Sequence, residues 1–251
     1  MKKPTFLKYE RPLITVMVQS ETPDRIKELI DASLPEGAEA FGMQFCKMNN
    51  EYRTEETYRS LIDYAKGLPV YVTNYRHSFN KGKTDDDLAA ELITLAECGA
   101  TLCDVMGDYF APCEGEFATD PEAVRKQKRL IDELHACGAE VLMSSHVMKF
   151  TPAERVLEIA LEQQKRGADI CKIVTGAESM EQQIENLRII NLLKENLDIP
   201  FLFLSAGESR IVRRIGGALG CCMYLCVHEY DSLATKSQPL LCDMIAIRDL
   251  I

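Results

Sequence analysis

The chain repeats one pattern along its length, in which a short apolar run is followed by an amphipathic helical pattern. At four junctions a glycine separates the end of a helical pattern from the next apolar run: Gly37, Gly99, Gly138 and Gly167. Glycine adopts the left-handed conformation that ends a helix without steric cost. These glycines therefore predict turns that lead directly from a helix into a strand.

Eight apolar runs are candidates for strands, and each is followed by a helical pattern. Four begin just after the glycines named above, and the others are Leu13–Val18, Pro69–Thr73, Pro200–Leu204 and Cys221–Cys226. Candidate N-cap residues precede six of the helical patterns: Thr22, Thr54, Thr84, Thr119, Thr151 and Ser179. The side-chain oxygen of such a residue accepts a hydrogen bond from the free N–H groups of the first helical turn.

This alternation predicts the fold class. Nearly continuous apolar strands that alternate with helices are typical of a parallel sheet covered by helices. Eight such units in 251 residues predict an α/β protein with a (β/α)8 TIM barrel, formed by residues 1–251 as a single domain. A doubly wound open sheet is the alternative. Neither G-x-G-x-x-G nor G-x-x-x-x-G-K-[ST] follows a strand candidate, which favours the barrel.

Charge and hydropathy limit the class of ligand. The formal net charge of −10 argues against a nucleic-acid-binding protein, which needs clustered Lys and Arg. No apolar run reaches the ~18 residues of a membrane span, and no signal peptide follows Met1–Thr5. We therefore expect a cytoplasmic protein with a small-molecule ligand and no nucleic-acid or membrane partner. The sequence leaves open whether the chain forms a homodimer.

The ten cysteines predict neither a disulfide framework nor a metal site. Eight lie in apolar segments and are predicted to be core thiols: Cys98, Cys103, Cys137, Cys171, Cys221, Cys222, Cys226 and Cys242. There is no C-x-x-C pair and no zinc-ligand spacing with the four histidines, so no metal is expected. Cys46 and Cys113 lie near a strand end or in a loop, where a catalytic thiol is an alternative. No base is adjacent to either thiol in the sequence, which disfavours this alternative. His228 receives no role.

Lys172 lies within the apolar run Gly167–Val174, which otherwise has the character of a fully buried strand. Burial disfavours the ammonium form and lowers the pKa of a lysine from its ordinary value of about 10.4. A free amine attacks carbonyl groups, so the position predicts a lysine that forms a Schiff base. The alternative is a structural lysine that extends from a strand end to solvent.

A barrel would gather the chemistry at one end, because active sites in this fold lie at the C-terminal ends of the strands. His146 and Lys172 follow consecutive strand candidates and are expected to be neighbours at the barrel mouth. Gln44, Asn80 and Ser205 also fall at predicted strand ends. We treat these three as candidates for substrate contact.

Several motifs resemble type I 3-dehydroquinate dehydratase over nearly the whole chain. Val141–His146 is similar to the strand that ends in the catalytic histidine of that family, and Gly167–Ile173 is similar to the segment with its Schiff-base lysine. Arg213–Gly220 resembles the stretch whose arginine binds the substrate carboxylate. Ser237 and Gln238 match the end of the loop that covers the site.

The chain also departs from that family at several polar positions. The Glu-x-Arg-x-Asp pattern of the family is replaced by Gly42–Cys46, with Gln44 in place of the arginine. Asn80 stands where the family has the glutamate that orients its histidine, and Met106 replaces an acid in the next strand. A site that loses several polar partners together has been rebuilt for another substrate or has decayed.

The resemblance implies a mechanism. Lys172 attacks a substrate ketone, and His146 acts as general base and then as general acid for the departing β-hydroxyl. Arg213, Gln238 and Arg76 are implied or candidate substrate contacts, and Asn80 is expected to hold the imidazole by a neutral hydrogen bond. The protonated imine is itself the electron sink, so no metal or organic cofactor is expected.

The identity of the substrate is less constrained than the chemistry. The apolar side chains Tyr75, Phe79, Met106 and Met148 predict a mouth that suits a β-hydroxy ketone larger or less charged than 3-dehydroquinate. Three alternatives stay open: 3-dehydroquinate dehydratase activity itself, an aldolase-type cleavage through the same imine, and a barrel that has lost catalysis and only binds a ligand.

Overall fold

The computed structural model describes residues 4–208 and 210–250, and its framework is one parallel sheet of eight strands. The strands are β1 Leu13–Val18, β2 Ala40–Gln44, β3 Val70–Thr73, β4 Leu102–Met106, β5 Glu140–His146, β6 Ile170–Gly176, β7 Phe201–Ala206 and β8 Met223–Cys226. Their spatial order is β7-β6-β5-β4-β3-β2-β1-β8. The order follows the sequence without the reversal of a doubly wound sheet.

The two ends of this order meet. The N–H of Cys222, the residue before β8, donates a hydrogen bond to the carbonyl of Phe201 in β7, at 2.9 Å. The sheet therefore nearly closes on itself, and the predicted (β/α)8 TIM barrel is confirmed. Eight α-helices accompany the strands within the described residues: α1 Pro23–Ser33, α2 Glu55–Tyr64, α3 Asp85–Glu97, α4 Pro121–Ala136, α5 Ala153–Arg166, α6 Met180–Asn196, α7 Val212–Leu219 and α8 Leu241–Arg248.

The predicted junctions are largely confirmed. All four glycines have positive φ: Gly37 at 101°, Gly99 at 107°, Gly138 at 80° and Gly167 at 104°. Thr22, Thr54, Thr84 and Ser179 cap helices with their side chains. The other two N-cap predictions are wrong by one residue, since the N-cap residues are Asp120 and Pro152. In each case the helix begins one residue later than predicted.

The register of β5 and β6 places the two predicted catalytic side chains. Lys172 pairs with Ser144, and His146, the last residue of β5, pairs with Val174. The sequence predicts Lys172 at the end of a strand. This is wrong, because β6 continues to Gly176 and Lys172 lies inside it. Because side chains alternate along a strand, Lys172 and Val174 both face the barrel interior.

The cysteine prediction needs one correction. All ten thiols are free, and six of the eight predicted core cysteines are buried, but Cys137 is partly exposed and Cys242 is exposed. Cys137 is the C-cap residue of α4 and Cys242 lies in the first turn of α8, and an apolar pattern at the end of a helix does not ensure full burial. Between residues 4 and 250, with residue 209 left aside, no helix is long and apolar enough to cross a membrane.

Candidate active site

A cavity of about 170 Å³ opens at the C-terminal ends of the strands. Five of the predicted site residues line it: Lys172, His146, Arg213, Gln238 and Gln44. Much of the remaining wall is apolar and consists of Met17, Met148, Val174, Leu204 and Leu225. The cavity therefore combines a few convergent polar groups with apolar walls, as small-molecule sites commonly do.

Lys172 ends in the barrel interior and is only 4% exposed, which excludes a lysine that reaches solvent. Its ammonium donates hydrogen bonds to the hydroxyls of Tyr75 and Tyr71, at 2.8 and 3.0 Å, and to Asp104 Oδ2 at 3.1 Å. The sequence predicts an apolar surrounding for this amine. The structure instead places a carboxylate, Asp104, in contact with this amine.

Asp104 is the centre of this polar cluster. It accepts hydrogen bonds from Tyr71, from Tyr75 at 2.6 Å and from Ser144 Oγ at 2.5 Å. Burial raises the pKa of Asp104, but the charges of Lys172 and His146 and the hydroxyl donors outweigh it, so that the pKa is lowered. Burial and the negative charge of Asp104 raise the pKa of both tyrosines well above the usual range. Asp104 is thus a carboxylate that two neutral phenols and a serine hold beside Lys172.

His146 is oriented by a carboxylate from a loop. Glu116, in the connection from β4 to α4, lies with Oε2 at 2.6 Å from His146 Nδ1 and accepts the backbone N–H of His146 at 3.1 Å. This contact places the proton on Nδ1 and leaves Nε2 for the substrate. The Tyr75 ring packs edge-on against the imidazole, with a centroid distance of 5.3 Å.

Arg213 is a buried cation without a carboxylate partner in the part of the chain that the structure describes. It is 6% exposed, and its Nε donates to the backbone carbonyl of Ser205 at 2.7 Å. Burial and the positive charge of Arg210 lower the pKa of Arg213 to about 10, so the guanidinium stays charged at neutral pH. An uncompensated buried guanidinium at a cavity wall is suited to a carboxylate.

Two amide side chains complete the polar lining. Gln44 Nε2 donates to His77 Nε2 at 3.2 Å, and His77 Nδ1 in turn lies 2.9 Å from Ser78 Oγ. Burial, Lys47 and His146 lower the pKa of His77, which keeps this imidazole neutral and able to accept. Gln238 is 7% exposed and its Oε1 has no hydrogen-bond partner among the described residues.

Comparisons with known proteins show the family of the chain. The sequence model for type I 3-dehydroquinase matches residues 14–239. The chain belongs to the type I 3-dehydroquinase family. A 3-dehydroquinate dehydratase of Shouchella clausii is 25% identical over 246 residues, which cover 92% of this chain and 88% of that protein.

Other members of the family are more distant or match over a shorter part. A Klebsiella pneumoniae 3-dehydroquinate dehydratase is 29% identical over 157 residues, or 61% of this chain, and the match spans only 58% of that protein. The crystal structure of 3-dehydroquinate dehydratase from Geobacillus kaustophilus superposes with a TM-score of 0.81 at 16% identity, covering 97% of this chain and 92% of the other. The likeness to this crystal structure, at 16% identity, concerns the fold alone.

The position of Glu116 corrects the prediction for Asn80. The sequence places Asn80 where the type I 3-dehydroquinases have the glutamate that orients their histidine. In the structure, Asn80 is 1% exposed, donates to Asn74 Oδ1 and to the Tyr75 carbonyl, both at 2.7 Å, and accepts from Arg53. Asn80 therefore holds the loop after β3 and does not contact His146.

Two other predicted contacts lie outside the cavity lining. Arg76 forms ion pairs with Asp85 and Asp108, each at 2.7 Å, so its charge is already compensated. The Ser205 hydroxyl accepts from Asn186 Nδ2 at 3.0 Å, and only its backbone carbonyl acts at the site, through Arg213. Neither side chain is among those that face the cavity.

The two cysteines considered for thiol chemistry and His228 take no part in the site. Cys46 Sγ lies 3.8 Å from His77 Nδ1, but burial raises the pKa of this thiol and keeps it protonated. Cys113 is exposed in the loop after β4. His228 Nδ1 lies 3.4 Å from Glu36 Oε2, and His228 is not part of the cavity lining.

Three groups of the site receive no role from the sequence: the Tyr71 hydroxyl, the Asp104 carboxylate, although Asp104–Asp108 is expected at a strand end, and Glu116. Asp104 carried a readable signal, because an acid inside the apolar run of β4 is as anomalous as Lys172 inside β6. Tyr75 was read for its apolar ring, although its hydroxyl contacts Lys172. Glu116 gave no signal, since it lies in a long loop without periodicity.

Gly42 explains one departure from the family in physical terms. This residue stands at the first acid of the family's Glu-x-Arg-x-Asp pattern, and a Cβ built at Gly42 would overlap Met17 Sδ. The Met17 side chain occupies the space and lines the cavity. An apolar thioether has thus replaced a carboxylate at this part of the wall.

Proposed function

We propose that this chain is a Schiff-base lyase that eliminates water from a cyclic β-hydroxy ketone with a carboxylate group, and that its substrate differs from 3-dehydroquinate. The observation that carries the proposal is the buried Lys172, which is hydrogen-bonded to Asp104 and lines the same cavity as His146. Membership of the type I 3-dehydroquinase family supports the same chemistry. The imine acts as the electron sink, so the reaction requires no metal or organic cofactor.

Imine formation begins with an ammonium that must lose protons. Asp104, at 3.1 Å from Lys172 Nζ, is the acceptor of the first proton, and the free amine then adds to the ketone carbon. Tyr75 lies 2.8 Å from Nζ and 2.6 Å from Asp104, and therefore connects the two groups. It donates to the carbinolamine oxygen and is reprotonated by Asp104.

The proton balance of this step closes within the cluster. Two protons of the Lys172 ammonium end on the water that leaves, and the iminium nitrogen keeps the third. Asp104 begins and ends as a carboxylate, so it can serve as the counter-ion of the iminium. The buried carboxylate thus stabilises the cation that acidifies the neighbouring carbon.

Elimination then falls to His146. Its Nε2 takes the proton from the acidified carbon, and the resulting imidazolium donates it to the departing β-hydroxyl. Water then hydrolyses the conjugated imine, which releases the enone and regenerates the Lys172 amine. Glu116 at 2.6 Å stabilises the imidazolium as a neutral amide would not. The sequence predicts a neutral partner, Asn80, for this histidine. A carboxylate in its place favours proton transfer through His146 more strongly.

The size and lining of the cavity favour a substrate that is less polar than 3-dehydroquinate. A cavity of about 150 Å³ holds one benzene ring, so about 170 Å³ suits a single six-membered ring with its substituents. Met17 covers Gly42, and the neutral Gln44 replaces an arginine of the family. The reacting part of the substrate is therefore less polar than 3-dehydroquinate, with its carboxylate at Arg213.

The second candidate is 3-dehydroquinate dehydratase activity itself. The retention of Lys172, His146, Arg213 and Gln238 around one cavity favours it. The cluster around Lys172 argues against a barrel that has lost catalysis. A buried ion pair contributes little net stability, so its retention favours a functional role over a structural one.

Product analysis with a panel of cyclic β-hydroxy ketones tests the proposed reaction. The panel includes 3-dehydroquinate, less hydroxylated cyclohexanone carboxylates and the same rings without the carboxylate. We expect a conjugated enone from a less hydroxylated member that retains its carboxylate. Cleavage into two carbonyl products would instead assign an aldolase, and no turnover of any ketone that forms the imine would contradict elimination.

A further inference from the structure

A second cavity, of about 370 Å³, adjoins the first at the barrel mouth. It is lined by Arg210, Arg214, Tyr230, Lys236, Ser237 and Gln238. Ser237 and Gln238 line both cavities, so the two spaces share a wall. We call this second space the anion subsite.

The lining of the anion subsite is positive and uncompensated. Arg210, Arg214 and Lys236 form no ion pair within residues 4–208 and 210–250, and no acid is part of the lining. The two acids beside Tyr230 are engaged elsewhere: Glu229 pairs with Arg25, and Asp231 accepts the N–H groups of Leu233 and Ala234. In a chain with a net charge of −10, three free cations around one cavity are a local exception.

Gln238 provides a second and independent sign of a missing ligand. Its side chain is more than nine-tenths buried, yet Oε1 has no partner among the described residues. The Tyr230 hydroxyl donates to the backbone carbonyl of Gln238 at 2.7 Å and holds this loop in place. A buried amide oxygen without a partner is costly unless a hydrogen-bond donor, such as a hydroxyl of a ligand or a water, completes its hydrogen bonds.

The location agrees with a general property of the fold. The anion subsite lies between the loops that follow β7 and β8, where (β/α)8 barrels frequently bind phosphate. The helix α7 begins there at Val212, and no side chain caps its N-terminus. The positive end of a helix dipole adds to the attraction for an anion.

We propose that the anion subsite binds an oxyanion group of the substrate, a phosphate ester or a second carboxylate, at the end remote from the ketone. The inference rests on the proposed function, because it extends the substrate of the same Lys172 site. The substrate is then a ketone whose reacting ring lies in the first cavity and whose anionic extension passes Ser237 and Gln238.

Binding of inorganic phosphate tests the anion subsite apart from the imine chemistry. Titration calorimetry compares the wild-type protein, Lys172→Ala, the double variant Arg214→Gln/Lys236→Gln and a control, Lys128→Gln/Arg129→Gln. The control removes two exposed cations of α4 that form no ion pair in the described chain. We expect the first two and the control to bind alike, and the subsite variant to bind about tenfold more weakly or worse. Equal binding by both double variants overturns the proposal.

A matched pair of ketones tests whether the anion belongs to the substrate. The ketones 4-oxocyclohexyl phosphate and 4-hydroxycyclohexanone are each incubated with the protein and borohydride, and the rate of adduct formation at Lys172 is compared. We expect the phosphate ester to react about tenfold faster or more, an advantage that Arg214→Gln/Lys236→Gln removes and the control keeps. Phosphate binding without this advantage would overturn the assignment to the substrate. Phosphate binding with no adduct from any ketone would refute the imine chemistry but leave the anion subsite standing.

Discussion

Glu116 Oε2 contacts His146 twice, at 2.6 Å from the ring Nδ1 and at 3.1 Å from the backbone nitrogen. Glu116 adopts a left-handed backbone conformation with φ of 50°, and its carbonyl accepts from Ser145 Oγ at 2.7 Å. The loop after β4 is therefore tied to the end of β5 by both the backbone and the side chain of one residue. This arrangement restores from another loop the carboxylate that the family has at the position of Asn80.

The first prediction concerns this contact. Glu116→Gln should lower kcat about ten- to a hundredfold with little change in KM, because the imidazolium loses its counter-charge and acid–base catalysis is worth about 10² to 10⁴. His146→Ala should cost about two to four orders of magnitude, while an imine still forms at Lys172.

Steady-state kinetics across pH provide the measurement, with Glu114→Gln as the matched control. Glu114 lies in the same loop but pairs with the exposed Lys149. Equal kinetics and pH profiles for the two glutamine variants would show that Glu116 does not position His146.

The second prediction concerns the two tyrosines beside Lys172. Tyr75→Phe should slow imine formation about a hundredfold, because it removes the acid proposed for carbinolamine dehydration. Tyr71→Phe should have a smaller effect, since Tyr71 lies within β3 and Tyr75 lies beyond its end, on the side of the mouth. Single-turnover borohydride quenching measures both rates. Equal effects of the two substitutions would contradict a distinct role for the Tyr75 hydroxyl.

The third prediction is a stability effect that depends on pH. Lys172 and His146 lower the pKa of Asp104 in the folded protein below the unfolded value of about 3.9. The stability that Asp104 contributes is therefore present above about pH 3.9 and is lost as the pH falls through the lowered folded value. Asp104→Asn also leaves the Lys172 charge unpaired, which costs about 3 kcal/mol at neutral pH.

Urea unfolding at neutral pH and in the acid range below about pH 3.9 checks this. The difference between the wild-type protein and Asp104→Asn should narrow with acidification, whereas the exposed control Asp132→Asn should differ little at either pH. A difference that stays constant with pH would mean that Asp104 is not held as a carboxylate.

The fold was predictable because eight periodic units and their glycine turns are local signals. Lys172 was predictable for a related reason, since a cation inside an apolar strand stands out. Arg76 was misjudged because its pairing with Asp85 and Asp108 depends on tertiary contacts. Glu116 was missed because a loop residue reaches its partner in β5 only after the chain has folded. Asp104, the counter-ion of Lys172, lies in β4, so the sequence alone does not predict that the two residues are in contact.

The fourth prediction concerns 3-dehydroquinate. We expect weak or absent turnover, because Gln44 and the Met17 that covers Gly42 replace polar contacts with the substrate. Each lost partner of a buried polar group costs roughly 1 to 3 kcal/mol, or about tenfold and more in kcat/KM. Cys46, Asn80 and Met106 lie outside the cavity lining, which limits the number of such losses.

Ultraviolet absorbance of the enone product measures this turnover, with Lys172→Ala as the blank. A kcat/KM of about 10⁴ M⁻¹s⁻¹ or above would be in the ordinary enzyme range. It would show that Arg213 and Gln238 suffice for recognition and that the chain is a 3-dehydroquinate dehydratase.

Borohydride trapping followed by intact-mass analysis tests the central claim most directly. Incubation with a substrate ketone and reduction should add the mass of one reduced imine, and peptide mapping should place it on Lys172. Lys172→Ala should form no adduct and should be inactive. An adduct on the exposed Lys149 or on Lys81, or a Lys172→Ala protein that keeps its activity, would contradict the assignment of Lys172 as the Schiff-base lysine.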